Sequence, residues 1–201
     1  MRFILFLSCV VLMPPPAALA DSEEWLTEIV VNSQRHARPR LDYSGSIEQL
    51  GANSIEWTGH HHISELLDQV AGTWIVRGSG QDHQTALRSP VLGGPGSCGG
   101  FLILEDGIPT RPAGFCNTNQ LIEVNSEQAR AIEVQRGPGS ALSGSNALHG
   151  IVNVLMPEPG DASLAGAALE FGANDYVRAG ALLPFGDDAS WVAAINYADD
   201  G

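Results

Sequence analysis

Residues Ile132 to Val154, IEVQRGPGSALSGSNALHGIVNV, constrain the fold more than any other stretch of the chain. A strand-forming run around Ile132 and Val134 leads into Arg136-Gly137-Pro138, and a second run follows from Ile151 to Leu155. Between them small residues recur at Gly139, Ser140, Ala141, Gly144, Ala147 and Gly150. That spacing lets backbone segments approach closely and permits turns with positive φ. A phosphate-binding Walker loop needs a Lys after its last Gly. This chain has no Lys; all 10 of its basic residues are Arg. A dinucleotide fingerprint needs G-x-G-x-x-G opening a long helix, and the segment is too rich in Gly and Ser for one. It reads as a structural loop between two strands.

The pattern R-G-P-x-S-A-L-x-G-x-x-A-x-x-G-x-x-N is filled by Arg136, Gly137, Pro138, Ser140, Ala141, Leu142, Gly144, Ala147, Gly150 and Asn153. It resembles the signature of the plug domain of TonB-dependent outer-membrane receptors. Two shorter elements resemble the same family: a helix, Gly and strand ending in Arg77-Gly78, and Leu104-Glu105-Asp106-Gly107-Ile108-Pro109, of form L-x-D-G-x-P. The resemblance implies an α+β plug with a small mixed β-sheet and short helices, followed by the first strands of an antiparallel transmembrane β-barrel. It implies gating and transport without covalent chemistry, and so no enzyme and no cofactor.

The N-terminus fits export. Residues 1–20 form a secretory signal, with Arg2 as the n-region charge, an apolar core from Phe3 to Met13, and Ala18-Leu19-Ala20 as a small-x-small cleavage site. The apolar run is about half the length of a spanning helix. Cleavage would discard Cys9 and leave Cys98 and Cys116 in a compartment where disulfides persist. A Cys98–Cys116 bridge would contribute roughly 3 kcal/mol by the chain-entropy argument; two free thiols are the alternative. A metal site with His60, His61 and His62 lacks a ligand-pair spacing, and the three-His run reads as a solvated approach to a helix. Losing Arg2 takes the formal charge from −13 to −14. That acidity argues against nucleic acid and against docking on anionic lipid.

Along the mature chain, Ser46 to Leu50 reads as a strand, and Asn53 is placed to cap a helix over Ser54 to Thr58. A second helix is expected from Ile63 to Val70, with Ile63, Leu66, Leu67 and Val70 as its core stripe. Gly72 ends it, and Thr73 to Arg77 returns as a strand. Ser79 to Gly100 reads as one long loop. Phe101 to Glu105 is a strand closed by the Asp106-Gly107 turn. Ser126 is placed to cap a turn over Glu127 to Ala129, and Glu133 with Arg136 suggests an ion pair anchoring plug to barrel wall. No nucleophile elbow surrounds Ser140, Ser143 or His149.

Thr27, Glu28, Ile29, Val30, Val31, Asn32 and Ser33 form a β-prone run near the mature N-terminus. It loosely resembles the TonB box, with Val31 in the Val position and Asn32 in place of Thr. Such a segment suits strand addition onto a partner's sheet edge; it also suits the plug's own first strand, and the two roles overlap. The resemblance further implies ligand contacts from the outer loops, for which Gln81, His83, Arg88, Ser97, Arg111 and Asn117 are the candidates. Arg88 is equally open to a salt-bridge role.

Pro157-Glu158-Pro159-Gly160 marks a domain boundary. The expected division is a signal at 1–20, an extension at 21–45, the plug at 46–156, a linker at 157–161 and barrel strands at 162–201. Ala162 to Phe171, Tyr176 to Pro184 and Ser190 to Asp199 have the length and alternation of outer-membrane strands, with Phe171, Tyr176, Trp191 and Tyr197 as interface aromatics. A full barrel in this family has about 22 strands, and three strands leave edges that lipid does not tolerate. The chain is therefore expected to be the front of a longer receptor in the outer membrane, meeting lipid through its barrel, TonB through the box and a small ligand of siderophore, cobalamin, haem or oligosaccharide type. The alternative is a stand-alone plug in the periplasm that binds TonB or ligand without transport.

Overall fold

The computed structural model describes residues 30–31, 38–79, 82–91, 100–112, 121, 124–158, 165–185 and 191–199. The readings placed on residues 1–20, Thr27, Glu28, Ile29, Asn32, Ser33, Gln81, Ser97, Cys98, Cys116 and Asn117 lie outside the described residues. A short ladder opens the chain, β1 (Val30–Val31) pairing antiparallel with β2 (Arg38–Pro39).

The centre is a five-stranded mixed sheet. It is built from β3 (Ser46–Gly51), β6 (Phe101–Glu105), β7 (Ile108–Pro109), β8 (Ala131–Arg136) and β9 (Gly150–Leu155), in the order β3-β8-β9-β6-β7. The β6–β9 pair is parallel and the others are antiparallel. Asp106 and Gly107 join β6 to β7 with φ of 49° and 79°. Positive φ at both positions is the type I′ turn whose twist matches its strands.

One face of this sheet carries Leu50, Ile103, Ile132, Val134, Val152 and Val154 into the main core. Packed on it are α1 (Ala52–Thr58) through Ile55, and α2 (Ser64–Leu67) with its flanks through Ile63, Leu66, Leu67 and Val70. The expected stripe is therefore buried, but the helix is shorter than the Ile63 to Val70 reading. Its last turn tightens to i→i+3 bonds, Gln69 N–H to Leu66 and Val70 N–H to Leu67. Gly72, at φ 84°, then turns the chain into β4 (Thr73–Arg77). Asn53 does not cap α1; Gly51 holds that position and no side chain caps the helix.

The long-loop reading of Ser79 to Gly100 needs correcting. It contains β5 (His83–Leu87), which pairs with β4 and buries His83, Thr85, Ala86 and Leu87. Its polar composition hid it, because tertiary burial overrides weak strand propensity. The three-His run is not solvated either: His60 and His62 are each 2% exposed, and only His61 faces out.

The other face of the sheet carries a polar row. Gln49, Glu133 and Asn153 stand in register on β3, β8 and β9. Gln49 and Asn153 each donate to the Glu133 carboxylate at 3.4 Å. Glu133 therefore does not pair with Arg136. Residues three apart on a strand point to opposite faces, and Arg136 pairs instead with Glu48 at 3.3 Å. Gly150 shows why the signature is selective: a Cβ there would lie 2.5 Å from Leu87 Cδ1 and 2.6 Å from the Gln135 carbonyl oxygen.

A separate three-stranded antiparallel sheet follows, β10 (Gly166–Phe171), β11 (Val177–Phe185) and β12 (Trp191–Asp199). Leu169, Phe171, Leu183, Phe185, Trp191, Ile195 and Tyr197 are exposed on its outward face. Glu170, Arg178, Gly180, Leu182 and Asn196 occupy the alternate positions and face the central domain.

Candidate functional site

The signature residues converge at two structural points. Asn153 Oδ1 accepts from Gly107 N–H at 2.9 Å, and Asp106 Oδ1 accepts from Met156 N–H at 2.9 Å. The Asp106-Gly107 turn is thus fastened to β9 by the Asn that closes the long signature. At the other point Arg136 reaches the Ala71 carbonyl and Glu48, tying β8 to the turn before β4. Gly137 and Gly144 take positive φ, and Gly137 N–H and Gly139 N–H bond back to the His149 and Ala147 carbonyls. Pro138 is exposed, its carbonyl accepting from Gln135 at 3.2 Å. Ser140 Oγ accepts from Leu142 N–H at 3.2 Å. These residues hold the loop's shape.

Of the ligand candidates, His83, Arg88 and Arg111 are among the described residues. His83 is buried in β5, its ring 5.3 Å edge-on from that of His62, so it is not presented on an outer loop. Arg88 follows β5 with φ 50° and is exposed, its N–H bonded to the Gly72 carbonyl at 2.7 Å. Arg111 follows β7 and is partly buried. Arg77 lies 3.9 Å from Glu65, with Gly78 bonded to the Asp82 carbonyl beside it. Among the described residues no group of three His, Cys, Asp or Glu is placed to hold a metal ion.

A dense polar constellation that sequence reasoning missed is the joint between the central domain and the three-stranded sheet. A 3-10 turn at Ser126–Gln128 supplies one side. Gln128 Nε2 donates to the carbonyls of Ala181 and Ile195, both at 2.9 Å, clasping two paired strands. Asn125 orients that amide by donating to its Oε1 at 2.9 Å. Gly180 leaves the space required, since a Cβ there would stand 2.8 Å from Asn196 Oδ1.

Beside it Glu127 meets Arg178 at 2.9 Å and accepts from Asn196. Arg178 also approaches Glu170 at 3.6 Å and donates to the Gly59 carbonyl at 3.3 Å. His61 adds a hydrogen bond to the Tyr176 hydroxyl at 2.7 Å and lies 3.7 Å from Glu170. Behind this layer His60 Nε2 bonds Ser126 Oγ at 2.9 Å, so Ser126 serves the histidine rather than capping the turn. Burial, and then the nearby Arg178 charge, lower the His60 pKa to about 4 against the raising effect of Glu65. A cavity of about 450 Å3 lies between α1, this turn and the sheet.

The sequence carried a signal for this joint. On β11 and β12 the outward positions up to Tyr197 are apolar, so a lone Arg178 and an Asn196 on the inward face required polar partners.

The TonB-dependent Receptor Plug Domain family model matches residues 39–151. The chain belongs to that family. The matched span includes the signature loop, both fastened turns and the plug half of the joint. Solved structures agree with the fold. Pyoverdine outer membrane receptor FpvA from Pseudomonas aeruginosa is similar at a TM-score of 0.63 and 15% identity, over 85% of this chain and 24% of that one. The alcaligin outer-membrane receptor FauA from Bordetella pertussis gives 0.59 and 18%, over 83% and 29%. The copper transporter OprC gives 0.56 and 19%, over 76% and 23%. The chain thus spans roughly a quarter of those receptors' length. The plug with its first wall strands is the fold of an outer-membrane receptor, and the outer membrane is its location.

Proposed function

We propose that the chain is the plug and first barrel wall of a receptor that takes up a scarce ligand with energy delivered through TonB. The observation that carries the reading is the two-sided character of the β10–β12 sheet. Its inward face is held to the plug by Gln128 and Glu127, and its outward face is apolar, with Phe171 and Tyr197 at one end and Phe185 and Trp191 at the other. The 9 residues of β11 span nearly 30 Å at roughly 3.3 Å each. At a tilt of ~45° that gives about 20 Å of depth, close to the apolar band of outer-membrane barrels. A soluble plug module would have no use for that face.

On this reading residues 46–156 gate the barrel, residues 157–161 link the plug to the wall, and residues 162–201 begin the wall. The ligand is of the siderophore, cobalamin, haem or oligosaccharide class. The FpvA and FauA receptors are described with pyoverdine and alcaligin, and OprC with copper, which supports the uptake of metal-bearing small molecules without choosing one. The role is transport rather than catalysis. The Thr27 to Ser33 segment is the TonB contact; the pairing of Val30 and Val31 with Pro39 and Arg38 supports its extended form. A Cys98–Cys116 bridge would staple the two outer loops.

The test is membrane fractionation together with TonB-dependent uptake of a ferric siderophore panel. Val31→Pro removes a backbone donor from the contact strand, so uptake should fall at least tenfold while outer-membrane levels hold. Recovery of the product wholly in the soluble periplasm would overturn the receptor reading.

A further inference from the structure

His60 lines both cavities at the joint, and neither the fold nor the transport reading uses its chemistry. It is 2% exposed and lies between the end of α1 and the Ser126–Gln128 turn. Cavities of about 450 and 480 Å3 meet it on two sides. Its Nε2 bonds Ser126 Oγ at 2.9 Å, while its Nδ1 is buried with no hydrogen-bond partner among the described residues. A neutral ring that donates through Nε2–H leaves Nδ1 a bare acceptor. The converse tautomer would strand a buried N–H, the costlier arrangement.

We propose that His60 is a proton-sensitive pin of the plug–wall joint: neutral, it holds the Ser126–Gln128 turn against β10–β12, and protonated, it releases that turn. A proton added at Nδ1 creates a buried cation whose new N–H has no protein acceptor among the described residues. The charged groups around it leave little room for accommodation. Arg178 on β11 adds repulsion, as do His61 and His62 if charged, with His83 on β5 packed behind His62. The carboxylate that acts on the ring is Glu65 on α2, which bonds the His61 N–H; Glu127 on the turn and Glu170 on β10 line the cavity of about 450 Å3 with His60 and are both held by Arg178. Glu56 on α1 lines the same cavity. Tyr176 is occupied by His61. The imidazolium therefore either takes Glu127 from Arg178 or lets water in by displacing the turn. Both outcomes pull Glu127 and Gln128 off the wall. The lowered pKa of about 4 accords with this geometry.

The inference concerns the joint alone and stands whether or not the chain transports. Its test is amide hydrogen exchange on the full chain in detergent micelles between pH 7.5 and 4.5, corrected for intrinsic exchange. The reporters are Ala129 N–H and Arg130 N–H, which bond the Ser126 and Leu155 carbonyls. The opening constant at these amides should rise by up to about tenfold per pH unit below 6.5, the slope one proton imposes. His60→Gln keeps an amide donor for Ser126 without a titratable group, and should remove that slope; His61→Gln should leave it. An unchanged slope in His60→Gln overturns the proposal. Should that variant not fold, nitrogen NMR of the wild-type ring decides. A ring that stays neutral until the joint opens supports the pin, and one that titrates near 6.5 with the joint closed overturns it.

Discussion

Glu127 on the plug and Arg178 on the wall face each other at 2.9 Å, and the two side chains are 24% and 14% exposed. A pair this sheltered behaves differently from a surface salt bridge, because removing one partner leaves the other's charge under-compensated. Arg178→Met should therefore weaken the joint by about 2–4 kcal/mol, and Glu127→Gln by a similar amount. The double variant should lose less than the sum of the two, since they share one interaction. Urea titration monitored at the β10–β12 strands provides the cycle, and strict additivity would refute the coupling.

Gly150 is held by two neighbours, the Leu87 side chain and the Gln135 backbone oxygen. A side chain can move aside, but a sheet carbonyl cannot without breaking the ladder. Gly150→Ala should cost about 2–3 kcal/mol, in the range of overpacked cores. The double variant with Leu87→Ala should not recover that loss. Thermal denaturation of the three proteins distinguishes backbone crowding from side-chain crowding.

Acidification should destabilise the fold through His60 before the carboxylates protonate. The imidazole titrates near 6.5 when unfolded and about 4 when folded, so between those values the unfolded chain binds more protons. Stability is complete above pH 6.5 and drains as pH falls toward 4, by about 3 kcal/mol at most. Chemical denaturation at pH 7.5, 6, 5 and 4 should show this slope, and His60→Gln should flatten it.

Ile195 sits midway along β12 on the outward face and is 67% exposed. If that face meets hydrocarbon, Ile195→Arg should cost about 2–4 kcal/mol of membrane stability. A charge at the end of the strand, Asp199→Arg, should cost under about 1 kcal/mol. Refolding into vesicles compares them, and equal behaviour of the two variants would contradict a lipid-facing surface.

Local chemistry made much of this readable from sequence. Asp106-Gly107 defines its own turn, because adjacent positive φ angles suit few other residue pairs. The stripe from Ile63 to Val70 fixed which face would be buried, though not how long the helix would persist. The alternation from Trp191 to Tyr197 fixed the outward face of β12. Each of these rests on residues close together in the chain.

The remainder depends on long-range approach. Glu133 looked paired with Arg136 in sequence, yet strand geometry sends one to the polar row and the other to Glu48 and Ala71. β5 became a strand because β4 offered a partner and the core offered cover. His60, Glu127, Gln128, Arg178 and Asn196 form one joint only after the plug and wall have packed. Periodicity and turn chemistry are short-range properties carried by the sequence; which buried polar atoms satisfy one another is decided by tertiary contact, where an unpaired group is costly.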